Sequence, residues 1–435
     1  MSTSVDYDST GSLPSDIDSL RKRVKELEEE NAKLLHHLSE CCCNEKLRCG
    51  LNDSAATGKN LVDGNGELIR KDCKPKNKKV YSTGSIEHLP TRHVALRVIY
   101  FGQRFYGFAS ESQMDPTVES ELFKALEKTR LLVGDRKKSQ YSRCGRTDKG
   151  VSAFGQVIAL FLRSKLKGTT ENNKLHHEFS QQDGEIDYVR LLNRALPYDI
   201  RVTGWSPVPV DFSARFSCLA REYKYFFWRG YLNISAMEYA GKKFIGEHDF
   251  RNFCKMDALN VHNYCRRISS FELLPCNKSF EGNQLWVIKV KGSAFLWHQV
   301  RCMVAVLFMV GQGLESPEII DVLLSTSSTQ RKPQYTMAPE VPLVLQSCQF
   351  EGLRFTCSSD AFQALCVHLE NECRAYELQA AIHHEALQSF LLENGESSLG
   401  SRMGDKVTSH IPLMSRPTEP SYEERRAKLK LGEED

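Results

Sequence analysis

Apolar positions recur along this chain with changing period, and each change marks a new element. Between residues 20 and 38 the repeat is seven: Leu20, Leu27 and Leu34 share one position, and Val24, Asn31 and Leu38 share the other. That predicts a short coiled-coil helix, with Asn31 trading stability for register in a two-stranded coil. Three heptads are marginal alone, so the segment reads as a weak dimerising or partner helix. Residues 41–91 have no period and scatter Arg70, Lys71, Lys74, Lys76, Lys78 and Lys79, the composition of a flexible basic linker.

The globular pattern begins at His93. Residues 94–101 are apolar and β-branched and predict a strand ending in a loop with Gly102 and Gly107. Asp115-Pro116 reads as N-cap and first turn of a helix carrying Val118, Leu122, Leu126 and Thr129, to about residue 132. A strand is expected at 157–162, an inserted polar loop at 165–187, and a helix at 187–196 stopped by Pro197. Strict alternation returns at 221–228, where Tyr223, Tyr225 and Phe227 share one face. Ser235 to Glu238 resembles a capping box opening a helix that Gly246 closes. Strands follow at 266–274 and 285–291, then an otherwise apolar helix at 300–310, a helix opened by Ser316-Pro317-Glu318 to about residue 324, and a long helix at 360–393.

This order predicts an α+β fold, with two similar α/β halves around a central, mainly antiparallel sheet. The expected organisation is an acidic N-terminus with a coiled-coil helix (1–40), a basic linker (41–91), a first half (92–205), a second half (206–350) and a helical extension with a mobile tail (351–435).

Composition narrows the class. The 435 residues are 41% apolar and 26% charged, enough for a sizeable soluble core. No apolar run approaches the ~18 residues of a membrane span, and the Ser- and Asp-rich start carries no secretory pattern. The net charge of +3 conceals an asymmetry: residues 41–350 hold 44 basic against 31 acidic groups, while both tails are acidic. A basic core between acidic tails points to a polyanionic partner. The 15 cysteines follow no secreted framework and read as reduced thiols of a nuclear or cytoplasmic protein. Cys41-Cys42-Cys43 and Cys49 match no familiar metal-ligand spacing.

Three places carry chemistry. In Cys144-Gly145-Arg146-Thr147-Asp148-Lys149-Gly150 one carboxylate stands among cations in a glycine-bounded turn. Such a turn is often only solvated, but nearby cations hold an acid ionised and glycines admit another backbone. Tyr223, between Arg221 and Lys224, is either packing or a platform on which a base stacks. Arg301 interrupts an apolar helix and therefore needs an anionic partner, for which Asp148 is the candidate. The prolines of Met337-Ala338-Pro339-Glu340-Val341-Pro342-Leu343 read as an ordered loop.

These segments, in this order, resemble the TruA family of tRNA pseudouridine synthases. The resemblance is carried by Cys144 to Ala153, Tyr100 to Phe108, Asp211 to Phe216, Arg221 to Tyr225 and Phe295 to Arg301, and it covers about residues 92–350. Ser152, the stretch Gly246 to Met256 and Pro412 to Pro417 are similar to a eukaryotic branch of that family. Phe108 and Pro342 depart from the common pattern, which has Trp and Gly there.

The resemblance implies isomerisation of uridine to its C-glycoside in the anticodon stem-loop of tRNA, at positions 38 and 39, by a homodimer of nucleus and cytoplasm. It implies no metal, nucleotide or redox cofactor. Asp148 is the implied essential carboxylate and Arg301 its ion-pair partner. Tyr223 would stack on the base and help remove the C5 proton, and Arg146 would help extrude the nucleotide. Two other readings compete: a non-catalytic tRNA-binding protein on the same scaffold, and a scaffold protein acting through its N-terminal coil. Both leave the coincidence of Asp148, Tyr223 and Arg301 without a purpose.

Overall fold

The computed structural model describes residues 90–110, 114–166, 184–280, 282–393 and 410–431, with six helical positions between Lys22 and Lys33. The heptad positions from Leu20 to Leu38, most of the basic linker and the cysteines of residues 41–49 lie outside the described residues. Residues 1–80 and 81–435 are separate compact units. In the first, Arg23 pairs with Glu26 at 3.1 Å.

Nine strands form one mixed sheet. They are β1 (Thr91–Tyr100), β2 (Ser142–Arg143), β3 (Ser152–Arg163), β4 (Ile200–Pro207), β5 (Cys218–Trp228), β6 (Gly246–Asp249), β7 (Cys265–Phe280), β8 (Asn283–Gly292) and β9 (Leu343–Phe350). The spatial order is β4-β1-β3-β9-β5-β8-β7-β6, with β2 on β3. All pairings are antiparallel except β3 with β9. The middle of the sheet is therefore β9, which comes late in the chain and reads as no strand in the sequence. Its LVLQSCQF lacks clean alternation: three buried residues come in succession, and a register shift against β5 falls between Leu345 and Ser347.

Helices α1 (Val118–Lys128), α2 (Tyr188–Asn193), α3 (Ile234–Lys242), α4 (Gln299–Gly311), α5 (Ile319–Leu324), α6 (Ser359–Glu393) and α7 (Tyr422–Leu431) complete it. Two starts differ from the sequence reading. Helix α1 is capped by Thr117, not Asp115, because Thr117 and Ser120 exchange backbone–side-chain bonds at 3.1 Å each way. Helix α3 is capped by Asn233, whose side chain accepts the Ala236 N–H at 3.1 Å, not by Ser235. The apolar α4 is buried nearly all round, as such a helix must be. It fills a cluster with Tyr225, Phe227, Phe244, Phe250, Phe253 and Phe271 beneath β5, β7 and β8. A second cluster, including Tyr100, Phe105, Phe108, Leu122, Leu160 and Tyr188, lies under β1, β3 and β4. No helix among the described residues is long and apolar enough to cross a membrane.

The end of the chain corrects an expectation. Within the supposed mobile tail, residues 410–431 are docked. Leu413 is fully buried in the α4 cluster, Thr418 bridges to Pro333, and Lys332 meets Glu419 at 3.2 Å. A leucine inside a core and a buried lysine needing an acid hold that segment down.

Candidate active site

A single row of paired residues crosses the middle of the sheet: Tyr100 with Ala153, Ala153 with Leu345, Leu345 with Tyr223, and Tyr223 with Val290. Residues directly opposed in a sheet present their side chains on the same face. The row thus puts Tyr100 and Tyr223, 123 positions apart in sequence, on one face with two small or aliphatic residues between them. The loop between β2 and β3, which carries Asp148, is tied to this row.

Its ties are specific. Thr147 Oγ1 bonds Tyr100 Oη at 2.8 Å, and the Phe108 N–H reaches Thr147 O at 3.1 Å. The buried Gln156 holds Gly145 from both ends, accepting from its N–H at 3.2 Å and donating to its carbonyl at 3.0 Å. The Gly150 N–H donates to Phe105 O at 3.2 Å. The 102–108 loop approaches so closely that a Cβ on Gly102 would stand 2.1 Å from Val151 O, a distance no other residue tolerates. The segment Tyr100 to Phe108 is thereby a cradle for the Asp148 turn.

Asp148 faces the N-terminus of α4. Its side chain is 22% exposed. The Trp297 indole N–H donates to Oδ1 at 3.1 Å, and His298 Nε2 lies 3.5 Å from Oδ2. His298 occupies the left-handed region (φ 62°) at the turn into α4, which aims both side chains of the Trp297-His298 pair at the acid. Burial, with Arg301, Lys255 and Lys332 nearby, pushes the His298 imidazole down to about 4, so it is neutral at neutral pH. The Lys255 ammonium stands over the Trp297 ring at 4.2 Å. Burial raises the Asp148 carboxyl above the usual carboxylate range, against the opposing pull of Arg301, the Trp297 N–H and Lys255, while Glu340 adds to the rise. The net direction is opposite to that expected from neighbouring cations alone, because desolvation is the larger effect.

Arg301 requires a correction. It is brought to the site, but its ion-pair partner is Glu340, at 2.9 Å, and not Asp148. Its Nε donates to Ala338 O at 2.7 Å, and the Ala338 N–H returns a bond to Arg301 O at 3.2 Å. The 337–342 loop therefore reaches Arg301 first, and the guanidinium acts on Asp148 only through space. Glu340 also packs on the Asp148 turn: a Cβ on Gly150 would meet its Cγ at 2.7 Å.

Tyr223 is half-buried and meets Phe295 edge-on at 5.0 Å. Burial, with Asp148, Tyr100 and the thiols of Cys348 and Cys144 nearby, pushes its hydroxyl well up, so it is a phenol at neutral pH. Arg146 is exposed, and its side chain makes no hydrogen bond or ion pair among the described residues. Lys149 is also exposed and lies over the Tyr106 ring at 4.6 Å. Sequence reasoning singled out Asp148, Tyr223, Arg301 and Arg146 but missed Trp297, His298 and Glu340. The first two sit beside Arg301 in the same motif, and a carboxylate in the Pro-bounded 337–342 loop was the available sign of a partner for Arg301.

The arrangement presents one desolvated carboxylate, a protonated phenol and an aromatic shelf beside exposed cations. That set suits a flat, polyanionic substrate. Comparison with known proteins agrees. Residues 240–351 match the family model for tRNA pseudouridine synthase. The chain is 44% identical over 380 residues to the tRNA pseudouridine(38/39) synthase of Bos taurus, covering 85% of this chain and 74% of that protein. It is 40% identical to the Homo sapiens protein of the same name (92% and 85% covered) and 39% identical to that of Saccharomyces cerevisiae (75% of each). At that identity and coverage, and with the signature turn built as described, the chain belongs to the TruA family of tRNA pseudouridine synthases.

Proposed function

We propose that this protein converts uridine to pseudouridine in the anticodon stem-loop of tRNA, at positions 38 and 39, with Asp148 as the essential carboxylate. The observation carrying this reading is that one sheet row and one helix N-terminus bring Asp148, Tyr223 and Arg301 from three distant segments to one place. A non-catalytic RNA-binding role would need the basic surface but no half-buried, hydrogen-bonded acid.

The net reaction breaks the N1–C1′ bond, forms a C5–C1′ bond, and exchanges the C5 proton for one on N1. Nothing is oxidised or reduced. The base must first leave its stack, at a cost of a few kcal/mol. The exposed Arg146 and the Lys149–Tyr106 pair stand at the Asp148 turn, where they offset that cost by holding phosphate and filling the gap. Asp148 then acts at the ribose–base bond. The Trp297 N–H holds its Oδ1 while neutral His298 stands 3.5 Å from Oδ2, and the raised affinity for a proton makes it a better base or nucleophile than an ordinary surface carboxylate. Tyr223 carries its own proton, so it enters first as a stacking ring and hydrogen-bond donor; it can take the C5 proton only while passing its own onward.

A homodimer is part of this reading, as is the division of residues 92–205 and 206–350 into two halves, which is supported by the grouping of β1, β3 and β4 on one side of β9 and β5 to β8 on the other. The test is to map pseudouridine on tRNA transcripts treated with the pure protein. Modification at 38 and 39 is expected; modification confined to other positions would move the protein to another branch of the family, and none at all would refute the activity.

A further inference from the structure

Behind the Asp148 turn three cysteines converge that the reaction does not use. Cys144 follows β2, Cys218 opens β5 and Cys348 lies in β9, yet their three Sγ atoms are all within 4.8 Å of one another. Cys144 and Cys218 are buried and Cys348 is partly so. Their surroundings are small and apolar: Ala95, Val157, Ala159 and Ala214. Cysteines are common as small core residues, and convergence alone would be weak grounds.

The second observation is Arg221. It opposes Cys348 directly across β5 and β9, so the two side chains share a face. Its guanidinium donates to the carbonyls of Ser293 (2.6 Å), Cys144 (3.1 Å) and Arg215 (3.0 Å). Among the described residues it has no carboxylate within ion-pairing distance, although it is half-buried. A half-buried cation beside three sulfurs is a countercharge awaiting an anion.

We propose that Cys144, Cys218 and Cys348 form a binding site for one thiophilic divalent d10 ion, of which zinc is the physiological member. The balance is M2+ + 3 RSH → [M(SR)3]− + 3 H+: three S–H bonds break, three M–S bonds form, and no electrons move. The complex carries one negative charge, which Arg221 matches. Metal–sulfur bonds of about 2.3 Å put trigonally arranged sulfurs about 4.0 Å apart, inside the 4.8 Å within which the three Sγ atoms lie. Soft thiolates select such ions over magnesium or calcium. Three sulfurs would hold the ion trigonally, or with one water in the fourth position. Because the Cys144 carbonyl anchors Arg221 and its chain runs into Gly145, the ion would join β5 and β9 to the base of the catalytic turn.

Cadmium is the probe. The full, reduced chain is titrated with Cd2+, following sulfur-to-cadmium charge-transfer absorption and the 113Cd resonance. One ion is expected whose signal survives serine replacement of Cys41, Cys42, Cys43 and Cys49 and vanishes in Cys218→Ala and in Cys348→Ala. Should either alanine variant fail to fold, the wild type decides: a 113Cd shift of three-sulfur type and a raised melting temperature support the site. Absence of a signal, a four-sulfur or oxygen-type shift, or a signal unchanged in Cys348→Ala overturns it.

Discussion

The Trp297 indole N–H is hydrogen-bonded to Asp148 Oδ1 at 3.1 Å, tying the first residue pair of the α4 turn to the acid of the β2–β3 loop. A bond to a charged acceptor contributes about 1.5–3 kcal/mol, so this contact helps decide how readily Asp148 ionises. Removing it leaves burial less opposed. In Trp297→Phe the acidic limb of the pH–rate profile should therefore move to higher pH, with the plateau rate falling about 10-fold or more if the bond also orients the acid. An unchanged limb would show that the indole does not act on Asp148.

Glu340 predicts the opposite shift. It pairs with Arg301 at 2.9 Å and raises the Asp148 carboxyl. In Glu340→Gln the negative charge is gone and Arg301 is left to act on Asp148, so the acidic limb should move to lower pH. Trp297→Phe and Glu340→Gln thus bracket the wild type in a single set of pH–rate measurements.

Tyr223 separates ring from hydroxyl. Tyr223→Phe keeps the stacking surface, so tRNA affinity should hold within about twofold while the chemical step slows about 100-fold or more, the range for a lost proton-transfer group. Tyr223→Leu should in addition weaken binding by the ~1–3 kcal/mol of a base–aromatic contact. Paired binding and single-turnover measurements on both variants distinguish the two functions.

Asp148 also predicts a stability effect. Its folded carboxyl binds a proton more tightly than the unfolded one, because burial is the leading cause. Its contribution is then fully present below the unfolded value of about 3.9 and is lost as pH rises through the folded value. Asp148→Asn, which cannot ionise, should be more stable than the wild type at neutral pH, and the difference should close as pH falls toward about 4. Denaturant midpoints at the two pH values check it.

Much of this was legible in the sequence, for identifiable reasons. Helix α4 announces itself because it is apolar on every side, and β5 because Tyr223, Tyr225 and Phe227 alternate. The turn at Asp148 and the arginine at 301 stand out as charges where charge is costly. Strand β9 did not stand out. Its first three residues are buried in succession, and its pairing with β5 shifts register between Glu222 and Tyr223, so its side chains follow no simple alternation. The Arg301 partner was misassigned for a related reason. Sequence shows that a buried arginine needs an anion but not which loop arrives first, and the Ala338 carbonyl and Glu340 carboxylate take its Nε and Nη2 donors. The caps at Thr117 and Asn233 were each missed by two residues because Asp115 and Ser235 are equally good capping types.

The central claim is that Asp148 performs the chemistry, and Asp148→Asn tests it most directly. The substitution keeps size and an acceptor for the Trp297 N–H. Single-turnover conversion of an anticodon stem-loop should fall more than about 1,000-fold while binding of the same RNA stays near wild type. Full conversion by Asp148→Asn, with binding intact, would contradict the account.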